Sequence, residues 1–284
     1  MSWKTLGLLL GLIALLPLLN LILGIHPPTF KTFDDPARYG LRYEKVSFPT
    51  SDGLTLRGWF IHAAADGSTG KKATILVGHG YPFDKANILR HARSLHSKFH
   101  LLFFDFRYFG ESEGSYTTAG LLETRDVDAA AAYLKQREDD DPSRIGAMGF
   151  SMSAAAFILA RHPDIKAIVA DSPYASLEDL AGRQFFFLPG PTKWPLVALT
   201  KLYARLLLGV DIGTAAPAQA VHELAVPLLL IHGEKDSQIP ADHARTEPWM
   251  VPSADHGQAH AIEGERYEIR VSTFLERHLS GLAT

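Results

Sequence analysis

Short, nearly continuous apolar runs at residues 73–77, 99–105, 144–150, 165–171 and 226–232 alternate with longer stretches of helix-forming sequence. A strand that is apolar at successive positions, rather than at every second one, has both faces buried. Strands of that kind separated by helices specify a largely parallel sheet covered on both sides, an α/β fold. Residues 43–48 and 54–62, parted by the turn signal Thr50-Ser51-Asp52-Gly53, read as an opening hairpin. Residues 84–98 and 120–136 are expected to be helices between strands, and 265–279 the closing helix.

Two segments stand outside this rhythm. Residues 174–224 are too long for a plain connection and rich in aromatics: Phe185-Phe186-Phe187-Leu188-Pro189 precedes helical spacing over 194–208. An insertion of that length is usually functional, and this one reads as a small cap over the strand ends. The acidic run Glu138-Asp139-Asp140-Asp141-Pro142 reads as a solvated helix end and turn.

With 284 residues, 46% of them hydrophobic, the chain can bury the core of one large domain. Its net charge of −3 lacks the basic excess of a nucleic-acid binder. The absence of cysteine excludes disulfides, thiolate metal sites and a cysteine nucleophile.

The N-terminus departs from a soluble composition. Residues 5–25 carry no formal charge and many leucines. As a helix they would span roughly 30 Å, the thickness of a bilayer core. The segment 1–25 is therefore expected to be a single-pass membrane anchor, the alternative being a cleaved signal segment. Residues 26–42, with Pro27, Pro28 and Pro36, form a linker, and 43–284 the folded domain. Lys4 precedes the apolar run while Lys31, Arg38 and Arg42 follow it, so charge does not decide which side the domain faces.

Candidate chemistry gathers where strands end. Gly149-Phe150-Ser151-Met152-Ser153 lies between a strand and the helix-forming Ala154-Ala155-Ala156, which mounts Ser151 on a strand-to-helix elbow. Asp236 follows the 226–232 strand in His232-Gly233-Glu234-Lys235-Asp236, and His256 follows a short strand at 249–251. The order Ser, Asp, His is that of hydrolases built on such an elbow. A serine hydroxyl is a weak nucleophile until a neutral imidazole accepts its proton. His256 would serve as base and then acid, with Asp236 orienting it. The backbone N–H groups of Met152 and of Tyr81, after His79-Gly80, are the candidate donors to an oxyanion.

Taken together, Gly78-His79-Gly80-Tyr81, Asp105-Phe106-Arg107 with Gly110-Glu111-Ser112, the elbow, Asp171-Ser172-Pro173, His232 to Asp236 and Asp255-His256 resemble the α/β-hydrolase superfamily, in its esterase and serine-aminopeptidase-like branch. The likeness runs over residues 43–279. It implies an eight-stranded, mostly parallel sheet with helices on both faces and a small helical cap, a Ser-Asp-His triad, and neither metal nor organic cofactor. It does not choose among esters, amides, thioesters and peptides.

Three departures bear on the site. Ser153 stands where the family's elbow ends in glycine, Arg107-Tyr108-Phe109-Gly110 lacks the usual Gly-His pair, and the link from Asp236 to His256 is short. That link must hold a helix opening at Pro240 and then a strand. His260, four residues past His256, is the rival base, or with it a metal pair of the H-x-x-x-H kind; Gly257 weakens a helix there. His79 and His232 read as structural, and His91, His96 and His100 are given no role. The resulting expectation is a membrane-anchored serine hydrolase acting on a small or lipophilic acyl substrate, with no nucleic-acid partner. The alternative is an inactive relative serving as a tethered binding module.

Overall fold

The computed structural model describes residues 2–65, 71–138, 140–188, 190–239 and 248–279; the side chains of Leu8, Leu9, Leu10, Leu12 and Asp140 also lie outside the description. The strands are β1 (Tyr43–Pro49), β2 (Thr55–Ile61), β3 (Lys72–Gly78), β4 (His100–Phe104), β5 (Asp140–Phe150), β6 (Ile165–Asp171), β7 (Leu228–Gly233) and β8 (Trp249–Val251). They form one eight-stranded sheet in the order β1-β2-β4-β3-β5-β6-β7-β8. The pairs β1/β2 and β2/β4 are antiparallel, and every other pairing is parallel.

Successive side chains of a strand point to opposite faces, so the central strands feed two cores. Ile75, Val77, Leu101, Phe103 and Met148 point to one, covered by α2 (Leu89–Ala92), α8 (Ala259–Glu263) and α9 (Glu265–Leu279). Leu76, Leu102, Phe104, Ile145 and Ala147 point to the other, covered by α3 (Thr124–Leu134), α4 (Met152–Ala160) and α7 (Pro217–Ala220).

Both helices expected ahead of their strands are shorter than their sequence pattern. Residues 85–88 are turns, because Lys85 is held instead by Asp105, just past β4. Its backbone N–H donates to Asp105 Oδ1 at 2.7 Å and its ammonium to Asp105 Oδ2 at 2.6 Å, both buried. The Asp84 carboxylate meanwhile accepts the Thr32 N–H at 3.0 Å. The second helix begins at Thr124 because the chain before it wraps the buried Glu123 carboxylate. Thr117 Oγ1, Thr118 N, Thr118 Oγ1 and Gly120 N all donate to that carboxylate. The acidic run differs from a solvated turn as well: β5 already begins at Asp140, which pairs with Lys72 of β3. Asp139 lies outside the described residues.

The segment between β6 and β7 forms a helical cap from α5 (Leu177–Arg183) and α6 (Trp194–Leu208), and returns to the sheet through α7. Pro189 lies outside the described residues. The N-terminal apolar run is one helix, α1 (Trp3–Ile25), continuous through Pro17. Among the described residues no helix is long and apolar enough to cross a membrane; Leu8, Leu9, Leu10 and Leu12, whose side chains lie outside the description, belong to this run. Only one face of the second half of α1 is covered. Leu21 is buried with Ala204, Val210 and Ile212, and Tyr203 of α6 donates its hydroxyl to the Ala14 carbonyl at 3.1 Å. Leu15, Leu19, Ile22 and Leu23 remain exposed.

A candidate active site at the end of the parallel strands

Ser151 occupies the turn between β5 and α4 with φ 53° and ψ −111°. A positive φ is rare for a residue with a side chain, and the turn that enforces it pushes the hydroxyl out of the sheet. The Ser151 N–H donates to the Asp171 carbonyl on β6 at 2.8 Å, which ties the turn to the neighbouring strand. Ser153 does two things there. Its hydroxyl accepts the Phe150 N–H at 2.9 Å and lies 3.0 Å from the Phe150 carbonyl oxygen, so it staples the elbow shut. Its β-carbon also fits against Gly78 of β3, where an added β-carbon would stand only 2.5 Å from it. The space that a glycine at 153 would leave is supplied by the glycine opposite.

Asp236 sits just beyond β7 and is buried. Its Oδ1 accepts the N–H groups of Gln238 at 3.0 Å and Ile239 at 2.7 Å, fixing the carboxylate. His256 follows β8 in a loop held by Asp255. The Asp255 carboxylate accepts the Ser237 N–H at 2.8 Å and the His256 N–H at 2.7 Å, and these backbone donors hold its pKa below the usual range. Gly257 has φ 72°, and a β-carbon on it would strike the Phe150 ring at 2.8 Å. The same ring lies 4.9 Å from the imidazole of His256, centre to centre.

The structure brings Ser151, Asp236 and His256 together. His256 Nδ1 lies 2.7 Å from Asp236 Oδ2, and its Nε2 lies 3.1 Å from Ser151 Oγ. In a neutral imidazole the first contact is an Nδ1–H donating to the carboxylate. Nε2 is then left to accept the serine proton. The short link from Asp236 to His256 spans this distance; residues 240–247, where a helix opening at Pro240 is expected, lie outside the described residues.

The two candidate oxyanion donors flank the serine. Met152 is the first residue of α4, where N–H groups have no partner within the helix. Tyr81 N–H meets no acceptor among the described residues, and both residues line the same cavity as Ser151. His79 shapes that loop from within. Its Nε2 accepts the Phe106 N–H at 3.1 Å, so the proton is on Nδ1 and is donated to the Gly80 carbonyl at 2.9 Å. Burial lowers its pKa and keeps it neutral. His232 is also structural: its Nε2–H donates to the Ile239 carbonyl at 2.7 Å.

His260 is elsewhere. It lies on α8, 3.1 Å from Glu268 Oε1 and ring to ring with His91 at 4.9 Å. Among the described residues no group of three His, Asp or Glu side chains is placed to hold a metal.

A cavity of about 510 Å³ opens over Ser151 and His256, within the range of small-molecule sites. Its walls come from the cap, from Thr117 to Ala119, and from the end of α1; no Asp, Glu, Lys or Arg lines it among the described residues. The loop at 117–119 is held in place by the buried Glu123. Sequence reasoning misses Glu123, although a glutamate heading an otherwise alanine-rich helix after Thr-Thr is a visible signal.

A sheet of this order, with a serine on the elbow and an acid and a histidine beyond the last two strands, defines an α/β-hydrolase. Residues 68–262 match the X-Pro dipeptidyl-peptidase (S15) family, and the chain belongs to it. The uncharacterized protein YfhR of Escherichia coli (strain K12) is 30% identical over 251 residues, covering 82% of this chain and 80% of that protein. The alpha/beta hydrolase domain-containing protein WAV2 of Arabidopsis thaliana is 29% identical over 215 residues, covering 74% of this chain and 67% of WAV2. Among solved structures, the Pyrococcus furiosus esterase Pf2001 superposes with a TM-score of 0.69 at 26% identity, over 90% of this chain and 98% of the esterase.

Proposed function

We propose that the protein is a serine hydrolase that cleaves a neutral carboxylic ester, or the corresponding amide or thioester, through an acyl-Ser151 intermediate. The observation that carries this reading is the continuous chain from Asp236 through His256 to the Ser151 hydroxyl, at 2.7 and 3.1 Å. Ser151 Oγ adds to the carbonyl carbon while His256 Nε2 takes its proton. Asp236 holds the ring and faces the imidazolium that forms. The carbonyl oxygen gains negative charge and is met by the N–H groups of Met152 and Tyr81. The bond to the leaving group then breaks, and His256 returns the proton to that group. Water, deprotonated by the same nitrogen, adds to the acyl carbon and releases the carboxylic acid and free serine.

The cavity favours an acyl substrate over a peptide held by its amino terminus. A dipeptidyl-peptidase must measure two residues from a charged ammonium, which calls for an anionic partner. The described lining has none and mixes Leu, Ile, Val and Phe side chains with neutral hydroxyls and carboxamides. The likeness to the Pyrococcus furiosus esterase points the same way. We extend the reading to the N-terminus: the first half of α1 holds the protein at a membrane, in keeping with the exposed Trp3 and Ile13 there.

The test is labelling of the full chain by a small fluorophosphonate, located by mass spectrometry, together with turnover of p-nitrophenyl esters and of an X-Pro p-nitroanilide. The proposal expects one label on Ser151, lost in Ser151→Ala, and preference for the esters. Persistent labelling in Ser151→Ala refutes the nucleophile. A folded protein that turns over neither class would instead be a binding module.

A further inference from the structure

α1 ends inside the site. Of its final residues, Asn20, Leu21, Gly24 and Ile25 line the cavity that holds Ser151 and His256. The helix is built in there rather than laid alongside. The last carbonyls of any helix lack partners of their own, and here the domain supplies them. Tyr81 Oη donates to the Gly24 carbonyl at 3.2 Å, and the Thr117 N–H donates to the Ile25 carbonyl at 3.0 Å. Both donors are themselves cavity residues. One residue pair further on, Tyr108 Oη donates to the Pro27 carbonyl at 2.8 Å.

Asn20 is the one carboxamide in the apolar run, and such a group is costly in an apolar setting unless something bonds to it. It faces the cavity, and no hydrogen bond holds its side chain among the described residues. Leu21, beside it, is buried against Val210 and Ile212, which line the cavity too.

Resting on the hydrolase reading above, we infer that the end of α1 is a substrate-binding wall. The acyl tail runs along Leu21 and Ile25, and the Asn20 amide donates a hydrogen bond to a substrate oxygen. The segment that tethers the protein is thereby also a determinant of which acyl ester it accepts. The substrate class is a neutral ester with an extended apolar tail, long enough to pass from Ser151 to α1.

The cysteine-free chain allows a direct test. Leu21→Cys is made in the full protein in detergent, and Ser151 is phosphonylated with either a methyl or a hexadecyl phosphonofluoridate. The rate at which a small methanethiosulfonate reagent modifies the introduced thiol is then measured. Ligands in such cavities are covered over most of their surface, so the hexadecyl adduct should slow the thiol roughly tenfold and the methyl adduct hardly at all. Ile25→Cys is read in the same way should the first variant fold poorly. Leu19→Cys, on the exposed flank and off the cavity wall, should respond to neither adduct. Equal rates with both adducts at positions 21 and 25, or equal slowing at 19, overturn the inference while leaving the nucleophile intact. Failure of either reagent to add to Ser151 brings down the hydrolase reading, and this inference with it.

Discussion

Ser153 and Gly78 meet across the contact between α4 and the sheet so closely that a β-carbon on Gly78 would stand 2.5 Å from the Ser153 β-carbon. The elbow keeps its tight helix-to-strand approach by placing the required glycine on the neighbouring strand. Gly78→Ala should therefore destabilise the fold by about 1–3 kcal/mol through overpacking. Ser153→Gly should relieve much of that cost in the double variant, at the expense of the hydroxyl's bonds to Phe150. Thermal unfolding of the four proteins gives the coupling, and simple additivity would show that the two positions do not interact.

Asp236 and His256 are joined by a 2.7 Å contact, and substitutions test whether they act as one unit. Asp236→Asn places an amide where His256 Nδ1–H needs an acceptor. By analogy with serine hydrolases in general, kcat should fall about 10³- to 10⁴-fold. His256→Ala, which removes the base itself, should cost more, about 10⁶-fold, and the double variant little more than that, because residues acting as one unit are not additive. Ester turnover measures this. Losses that multiply would mean the two residues act separately.

The pH dependence of stability has an identifiable contributor in His91. Burial, and then repulsion from His260 and Arg90, push its pKa from 6.5 down to about 4. Between those values the unfolded chain binds a proton that the folded chain does not. Stability from this group is therefore lost as pH falls from 6.5 towards 4, by up to about 1.4 kcal/mol per pH unit, and levels off below. Replacing the imidazole in His91→Gln should flatten denaturation midpoints across that window. An unchanged slope in the variant would assign the acid sensitivity to other groups.

Removal of residues 1–25 should not give a neutral truncation. It would uncover Ala204, Val210 and Ile212 and leave the cavity without one wall. Loss of the buried Leu21 contacts alone is worth about 2–5 kcal/mol by comparison with leucine truncations in cores. Calorimetry of the truncated chain should show a lowered Tm, and its ester profile should lose discrimination by tail length. A truncated protein with the same Tm and profile would show that α1 contributes neither to stability nor to substrate choice.

The sheet is legible in the sequence because strands buried on both faces must be apolar at successive positions, and the closing helix Glu265–Leu279 because its buried residues Tyr267, Val271, Leu275 and Leu279 recur at helical spacing. Helix starts are less legible. Asp84, Lys85 and Glu123 sit in helix-compatible sequence, yet the first two are claimed by distant partners and the third by the loop just before it, and periodicity does not record such claims. In the site, chain order singles out Ser151, Asp236 and His256, while their spacing in the fold depends on the Asp255 contacts to the 237 turn. The place of α1 is the least legible of all. Leucines that pack against a cap and leucines that face lipid are written identically, and only Asn20 breaks the run.

The clasp on α1 has a mechanical side. Tyr203, Tyr81 and Thr117 grip the helix at successive levels, so no swivel separates it from the catalytic unit. Whatever immobilises the first turns of α1 thus sets the bearing of the entire molecule, as a fixed stem sets the height and heading of a lamp. The mouth over Ser151 would meet only cargo presented at that one level and from that one direction.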